Sequence, residues 1–251
     1  MTGISQTLNA ALFAANNVGW LAPTSVQPIS AGLFDGSIAN VVPGGPSLTY
    51  YGSIPAQTAA VPGQSLGYVT TNQGAGLDTA ISTGQVVTFA SIVRIKKPVD
   101  NTTKDGTSIF TSYADISCFF DLVARCNNNE ADIQMWSANL SGNTFSETAV
   151  SEWGSWQILI YIGDVSGAQY FNRLLMPTQN IDNIVSTPGN TPGSNSGLTY
   201  LIGASRKAGT MYTASMDVAM FGVWDSRLSN DDLTALTNWM RRYAQSYGTT
   251  I

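Results

Sequence analysis

Histidine is absent from this sequence, and charged residues are scarce. Without histidine the chain has no means to build a Ser-His-Asp or Cys-His nucleophile, an H-E-x-x-H zinc site or a histidine-based pH switch. Of the 251 residues 11% are charged, against roughly 25% in an average soluble domain. The balance is acidic, with 11 lysines and arginines against 16 aspartates and glutamates and a net charge of −5. Nucleic acid is therefore not an expected partner, because the chain has little positive charge to neutralise phosphates.

Cysteines and long apolar runs are also few. The two cysteines, Cys118 and Cys126, lie in a segment that we interpret as one extended strand. Their separation corresponds to roughly 26 Å along a strand, too far for a disulfide, so we expect free, buried thiols. No apolar run approaches the roughly 18 to 20 residues of a membrane span, and the N-terminus lacks the positive charge of a secretory signal. We therefore predict neither a membrane segment nor a signal peptide.

Turn-forming and apolar residues are plentiful. The chain contains 24 glycines and 10 prolines, and 43% of its residues are hydrophobic, which is ample for a core. Residues 1–30 are interpreted as an N-terminal arm that docks to another subunit. Over residues 31–251, short β-strand patterns alternate with turns and no βαβ alternation occurs. This pattern predicts a single all-β domain, an antiparallel β-sandwich of the jelly-roll kind.

One helix is predicted to close this domain, over residues 229–247. Ser229 is a suitable N-cap, and Asp232, three residues later, stands at the capping-box position. Leucine, methionine and tyrosine side chains at helical spacing form one apolar stripe, and Gly248 supplies a stop. We expect this short C-terminal helix to cap the β-structure rather than to create an α/β fold.

Four segments, in their order along the chain, resemble those of a known family. They are VVTFASIVRIKKP at residues 86–98, WGSWQILI at 153–160, LTYLIGA at 198–204 and ASMDVAMFGVWDSRLSNDDLTALTNWM at 214–240. The first three are similar to strands of the laminin-G-like, concanavalin-A-like jelly rolls. The last is similar to the strand, turn and helix that close such a domain. The resemblance implies a concanavalin-A-like β-sandwich for most of the chain.

A second resemblance concerns the lead-in to the domain. Residues 32–55, dense in glycine and proline, resemble the lead-in of jelly-roll proteins encoded by tailed bacteriophages. This resemblance implies a non-enzymatic structural protein of a phage particle (tail, baseplate or head decoration), assembled in the host cytoplasm and located in the virion. It also implies homo-oligomers, contacts with other virion proteins through the N-terminal arm, and host-surface polysaccharide as a candidate ligand.

A glycan ligand would need exposed aromatic rings flanked by amide, acidic and basic side chains, because a sugar has apolar ring faces and many hydroxyls. The predicted turns offer such side chains at Trp153, Tyr170, Tyr212, Arg206, Asn127, Asn128 and Asn129. Trp136 would also suit such a platform, but we expect it in the core together with Trp156, Phe221 and Trp224.

Carboxylates could support a glycoside hydrolase, which needs two of them about 5 Å apart or further. Retaining enzymes of the family that the chain resembles carry them on a strand as E-x-D-x-x-E, and this motif is absent. The nearest clusters, Glu130 with Asp132 and Glu147 with Glu152, are interpreted as solvated loop residues. We therefore predict no enzyme. The alternatives are a free carbohydrate-binding module and a glycoside hydrolase.

Candidate calcium ligands are scattered along the chain. A calcium site needs several hard oxygen ligands that converge, and the sequence contains no D-x-D-x-D-G loop. The oxygen-bearing candidates are Asp100, Asn101, Asp105, Asp115, Asp164, Asp217 and the asparagines at 127–129. We predict no metal site and no cofactor, with a structural calcium ion as the metal considered.

Overall fold

A computed structural model describes residues 19–35, 37–99, 105–113, 119–127, 130–139, 142–188, 197–206 and 212–251. The strands are β1 (Ser30–Leu33), β2 (Thr49–Gly52), β3 (Ala56–Thr58), β4 (Tyr68–Thr71), β5 (Ala75–Ser82), β6 (Val86–Ile95), β7 (Thr107–Thr111), β8 (Phe119–Asn127), β9 (Glu130–Asn139), β10 (Gly142–Ala149), β11 (Trp156–Asp164), β12 (Gln169–Met176), β13 (Ile181–Pro188), β14 (Thr199–Ile202) and β15 (Met216–Trp224). A short 3-10 helix covers Pro177–Gln179, and the α-helix, α1, is Asn230–Ser246. Within the described ranges no helix is both long and apolar enough to cross a lipid bilayer.

The strands form two antiparallel sheets. Sheet A has the order β13-β12-β11-β6-β15-β4-β3, and β1 also pairs with β15. Sheet B has the order β10-β9-β8-β7-β14-β5-β2. All the pairs in both sheets are antiparallel. The predicted all-β antiparallel sandwich with one C-terminal helix is therefore confirmed.

One hydrophobic core lies between the two sheets. It includes Phe89 and Leu159 from sheet A and Phe110 and Phe120 from sheet B. The rings of Phe89 and Phe110 stack with their centroids 4.4 Å apart. Along β12 fully buried side chains alternate with partly exposed ones, as is typical of a strand with one face on a core. The same alternation determines which side chains point away from the core.

A second hydrophobic cluster lies on the outer face of sheet A, beneath α1. Ile92, Ile158 and Met220 from the sheet pack with Leu233 and Met240 from the helix. Strands β6 and β11 are therefore covered on both faces, which explains why their sequences are almost continuously apolar rather than alternating. The helix covers this part of the outer face of sheet A.

The C-terminal helix has the predicted boundaries. Ser229 is the N-cap and accepts a hydrogen bond from the backbone N–H of Asp232, whose side chain accepts in return from the backbone of Ser229. Gly248 follows the helix with a φ of +73°, and a Cβ at this position would meet the backbone of Gly63. A larger residue would therefore be strained here, which is the reason for the glycine stop.

The described part of the predicted N-terminal arm packs against its own domain. Trp20 is 3% exposed, and its ring lies 4.9 Å from that of Trp239 and 6.4 Å from that of Trp224. The segment 19–30 thus packs on the sandwich domain rather than forming a separate arm, because Trp20 and Ala22 belong to its second hydrophobic cluster. Residues 1–18 lie outside the described residues, and their docking to another subunit stays a prediction.

Cys126 is a buried, free thiol, as expected. It lies on β8, and its Sγ is 3.7 Å from the carbonyl oxygen of Val99. The strand predicted around the two cysteines is confirmed from Phe119 onward. Cys118 lies outside the described residues.

Candidate binding face on sheet B

Three strands at one edge of sheet B present a mixed aromatic and acidic face. On β9 the side chains of Ile133 and Met135 belong to the core between the sheets. Because successive side chains on a strand point to opposite faces, Asp132, Gln134 and Trp136 point away from sheet A. Strand β10 supplies their direct cross-strand neighbours. We call this surface the β8–β10 face, after the strands β8, β9 and β10 that form it.

An aromatic pair forms part of the exposed surface of this face. Trp136 on β9 and Phe145 on β10 are directly opposite in the register, and their ring centroids are 4.1 Å apart at an angle of 42°. Phe145 is 36% exposed, and Trp136 is half-buried. The prediction that Trp136 belongs to the core is therefore wrong. Its position opposite an exposed partner leaves part of the ring open to solvent.

A polar row continues the aromatic pair along the same strands. Gln134 is opposite Glu147, and its Nε2 donates a 2.9 Å hydrogen bond to Glu147 Oε1. Asp132 is two residues before Gln134 on the same face. The Oε1 of Gln134 and the Oδ1 of Asp132 are buried without a hydrogen-bond partner among the described residues. Such acceptors cost free energy unless a donor from water or a ligand reaches them.

The two carboxyl groups of this row influence each other. The pKa of Asp132 is raised to about 6, first by burial and then by the negative charge of Glu147. Burial disfavours the charged form of a carboxyl group, and a nearby like charge adds to this effect. Near pH 6 the Asp132 side chain is therefore protonated in about half of the molecules, so that it can donate as well as accept hydrogen bonds.

Tyr212 lies at the other side of the same face. Its backbone forms a bridge with Asp105, and its hydroxyl interacts electrostatically with Asp121 and Arg125 of β8. Burial, followed by the charge of Asp121, raises the pKa of Tyr212 above its ordinary value. The side chain is 7% exposed, so its ring is not available as a stacking surface.

The structure disperses the other predicted glycan-binding residues. Tyr170 is 1% exposed and belongs to the core between the sheets, so its expected exposure is wrong. Trp153 is partly buried, and its Nε1 donates to the carbonyl of Val150. The Nη2 of Arg206 is paired at 2.9 Å with Asp78 of β5, a strand that lies far from β9 in the sheet order.

The asparagine turn can be placed only in part. Asn127 ends β8, its side chain is outside the described set, and Asn128 and Asn129 lie wholly outside the described residues. The predicted platform is therefore not assembled as a group. A different set of residues, those of the β8–β10 face, combines aromatic and polar side chains.

The carboxylate clusters also differ from the prediction. Asp132 is buried within β9 rather than solvated in a loop, and Glu147 is on β10 rather than in the loop with Glu152. The structure brings Asp132 and Glu147, one residue from each predicted cluster, close enough for the charge of Glu147 to influence Asp132. The signal available in the sequence was the alternation in EADIQMWSAN, which places Asp132, Gln134 and Trp136 on one face, but the register that adds Glu147 and Phe145 is not local.

The described candidates for calcium binding are engaged with other partners. Asp164 is paired with Arg227 at 2.6 Å, and Asp217 with Arg94 at 2.7 Å. Asp105 accepts a hydrogen bond from the backbone of Val99. In the part of the chain that the structure covers, no three acidic or cysteine side chains converge as a metal site would require. Asp100, Asn101 and Asp115 lie outside the described residues.

No known protein family matches the sequence, and no curated protein matches it either. Solved structures share the fold. The binding domain of botulinum neurotoxin serotype D matches with a TM-score of 0.56 and 12% identity over 85% of this chain and 51% of that chain. The enzymatically active domain of bacteriophage CBA120 tailspike protein 2 matches with a TM-score of 0.53 and 10% identity, over 76% of this chain and 30% of that chain.

A Trypanosoma rangeli sialidase, solved in complex with 2,3-difluorosialic acid, matches with a TM-score of 0.53 and 11% identity. The match covers 84% of this chain and 33% of the sialidase chain. The chain thus spans about half of the neurotoxin domain and about a third of the other two proteins. At these identities the matches establish a common β-sandwich fold and nothing about activity.

Proposed function

We propose that this chain is a non-enzymatic, glycan-binding β-sandwich of a bacteriophage particle, and that the β8–β10 face contacts the glycan. The observation that carries the proposal is the Trp136–Phe145 pair, which is partly open to solvent, together with the exposed Glu147 side chain on the same face, whose carboxyl oxygens accept hydrogen bonds. A sugar ring has an apolar face that packs on an aromatic ring, and it has hydroxyl groups that donate to such acceptors. The aromatic pair and the polar acceptors together suit the apolar face and the hydroxyl groups of a sugar ring.

Two further observations support a place on a phage particle. Residues 32–55 resemble the lead-in of phage jelly-roll proteins, and the fold is shared with an active domain of a phage tailspike protein. A neurotoxin binding domain and a sialidase solved with a sialic acid derivative share it as well. Such a protein would recognise a polysaccharide on the host surface. Proteomics and cryo-electron microscopy of the assembled particle test this location, and absence of the chain from purified virions would contradict it.

The binding face is tested with a glycan array followed by calorimetry on a retained oligosaccharide. We expect Trp136→Ala to weaken binding by about tenfold or more, because the stacking surface is removed. Tyr50→Ala is the matched control, because Tyr50 is an exposed aromatic residue on β2, at the opposite edge of the same sheet. An array without any retained glycan, or equal losses in both variants, would contradict the proposal.

A glycoside hydrolase is the second candidate, and the electrostatic proximity of the Asp132 and Glu147 carboxyl groups favours it. A carboxyl group whose pKa is about 6 can act as a general acid beside an ionised partner. Release of reducing ends from a retained glycan, abolished by Glu147→Gln, would establish this activity and overturn the non-enzymatic proposal. Glu152→Gln is the control, because Glu152 is exposed and precedes β11 in a loop.

A further inference from the structure

A groove of about 370 Å³ lies between α1 and strand β12, on the outer side of sheet A. Its volume falls within the range of roughly 300 to 1,000 Å³ that is usual for small-molecule sites. The helix contributes one row of side chains, from Asn230 near its first turn to Arg241. The strand contributes Arg173 and Leu175. The groove is separate from the β8–β10 face, since it belongs to the other sheet.

The two arginines of the groove differ in how they are engaged. Arg173 binds the Asp182 carboxylate through Nε and Nη2, at 2.7 and 2.9 Å, and donates from Nη1 to Asn230 Oδ1. Its charge is therefore neutralised within the protein. Arg241 is half-buried and forms no ion pair with any residue that the structure describes. A guanidinium group in this position has donors available for a ligand.

The rest of the lining suits a sugar. Leu175, Pro177 and Leu233 supply apolar contacts, against which the carbon-bound hydrogens of a sugar ring can pack. Asn238 and Thr234 stand on the helix side of the groove, and amide and hydroxyl groups hydrogen-bond sugar hydroxyls. None of the described residues that line this groove is acidic, so these residues would not repel a negative charge on the ligand.

We infer that this groove binds an acidic sugar, with the ligand's carboxylate held by Arg241. The guanidinium fork matches the planar carboxylate with two parallel N–H···O bonds, which is the geometry that arginine favours over a rounder anion. The choice of a sugar as ligand rests on the proposed function, whereas the groove and its unpaired arginine do not. This site would give the protein a second contact with a polysaccharide that carries uronic or sialic acid residues.

The test uses an array on which each acidic oligosaccharide is printed both as the free carboxylate and as its methyl ester. The full chain is expected to retain at least one carboxylate form more strongly than its ester. Arg241→Gln should weaken binding of that carboxylate by about 10- to 100-fold, the usual loss for a charge-assisted hydrogen bond. The ester, which has no charge, should bind the wild type and the variant equally.

Arg242→Gln is the matched control, because Arg242 is the next residue of the same helix, is exposed and does not line the groove. Equal losses for the two variants, or equal retention of all acids and esters by the wild type, would overturn the inference. Trp136→Ala separates the two proposals. If the β8–β10 face fails as a glycan site while the groove is real, Trp136→Ala leaves all glycan binding intact and Arg241→Gln still removes the preference for the acid.

Discussion

Asp232, the third residue of helix α1, accepts a 2.7 Å hydrogen bond from the backbone N–H of Ser25, which lies 207 residues earlier in the chain. Its other oxygen accepts from the hydroxyl groups of Ser25 and Ser229. One carboxylate thus caps the helix and ties the N-terminal segment to it. These hydrogen bonds hold the pKa of Asp232 below its ordinary value.

Replacement of Asp232 by Asn is expected to destabilise the protein by about 1–2 kcal/mol at pH 7, the usual cost of a lost cap. A carboxyl group with a lowered pKa stabilises the fold above its unfolded pKa near 3.9, and this contribution is lost as the pH falls through the folded value. The stability difference between wild type and variant should therefore decrease as the pH falls below about 4. Urea unfolding across this range measures it.

Asp231→Asn is the control for this measurement, because Asp231 is the neighbouring acidic residue of the first helical turn and is exposed. It should cost a few tenths of a kcal/mol through the helix dipole alone. Similar losses in the two variants would mean that the bonds to Ser25 and Ser229 contribute nothing.

The contribution of Asp132 to the stability of the fold should depend on pH in the opposite direction. Its folded pKa of about 6 lies above the unfolded value, so its stabilising contribution is complete below about pH 4 and is lost as the pH rises through 6. Asp132→Asn, which stays neutral, should be more stable than the wild type at pH 8 by about 1–3 kcal/mol. At pH 3 the two proteins should be equally stable.

Urea unfolding at pH 3 and pH 8 checks this prediction for Asp132. Glu152→Gln serves as the control, since Glu152 is exposed and lies in the loop before β11; the stability of this variant should follow that of the wild type. A wild-type advantage at pH 8 would show that the Asp132 carboxylate is better accommodated than its burial beside Glu147 implies.

Trp20 should contribute strongly to stability. Its ring is enclosed by Trp224 and Trp239, so Trp20→Ala is expected to cost about 3–5 kcal/mol, as is usual for loss of a large buried ring. Leu21→Ala is the neighbouring control, because Leu21 is 72% exposed and its loss should be nearly neutral. Denaturant titration of both variants checks the difference. If Trp20→Ala left the free energy of unfolding unchanged, the interpretation of residues 19–30 as a separate arm would be supported.

Asn183 should hold the two sheets together along one side. From edge strand β13 its Nδ2 donates to Thr148 Oγ1 at 2.7 Å and to Ser146 Oγ at 2.9 Å, both on β10 of the other sheet. Asn183→Ala should destabilise the protein by about 1–2 kcal/mol and increase hydrogen exchange along β13. Ile184→Ala, at the exposed next position, should do neither. Equal exchange in both variants would contradict this role.

How far the sequence predicts the site can be seen at two aromatic residues. Tyr170 was expected at a turn and lies in the core, whereas Trp136 was expected in the core and lies on the β8–β10 face. Alternation along a strand indicates which side chains share a face, but it does not indicate which of the two faces packs against the other sheet. The sequence also did not group Asp132 with Glu147, because their proximity depends on the register of β9 against β10.

The features that local chemistry controls could be predicted. The capping box at Ser229 and the stop at Gly248 define the helix within one short segment, and the absence of histidine excludes whole classes of catalysis wherever the chain folds. The fold class followed from strand spacing and turn residues. The binding face, the groove beside Arg241 and the embedding of Trp20 were decided by the packed structure, because each needs side chains from distant strands and the helix to meet, and pairing between such segments is not encoded in any single one of them.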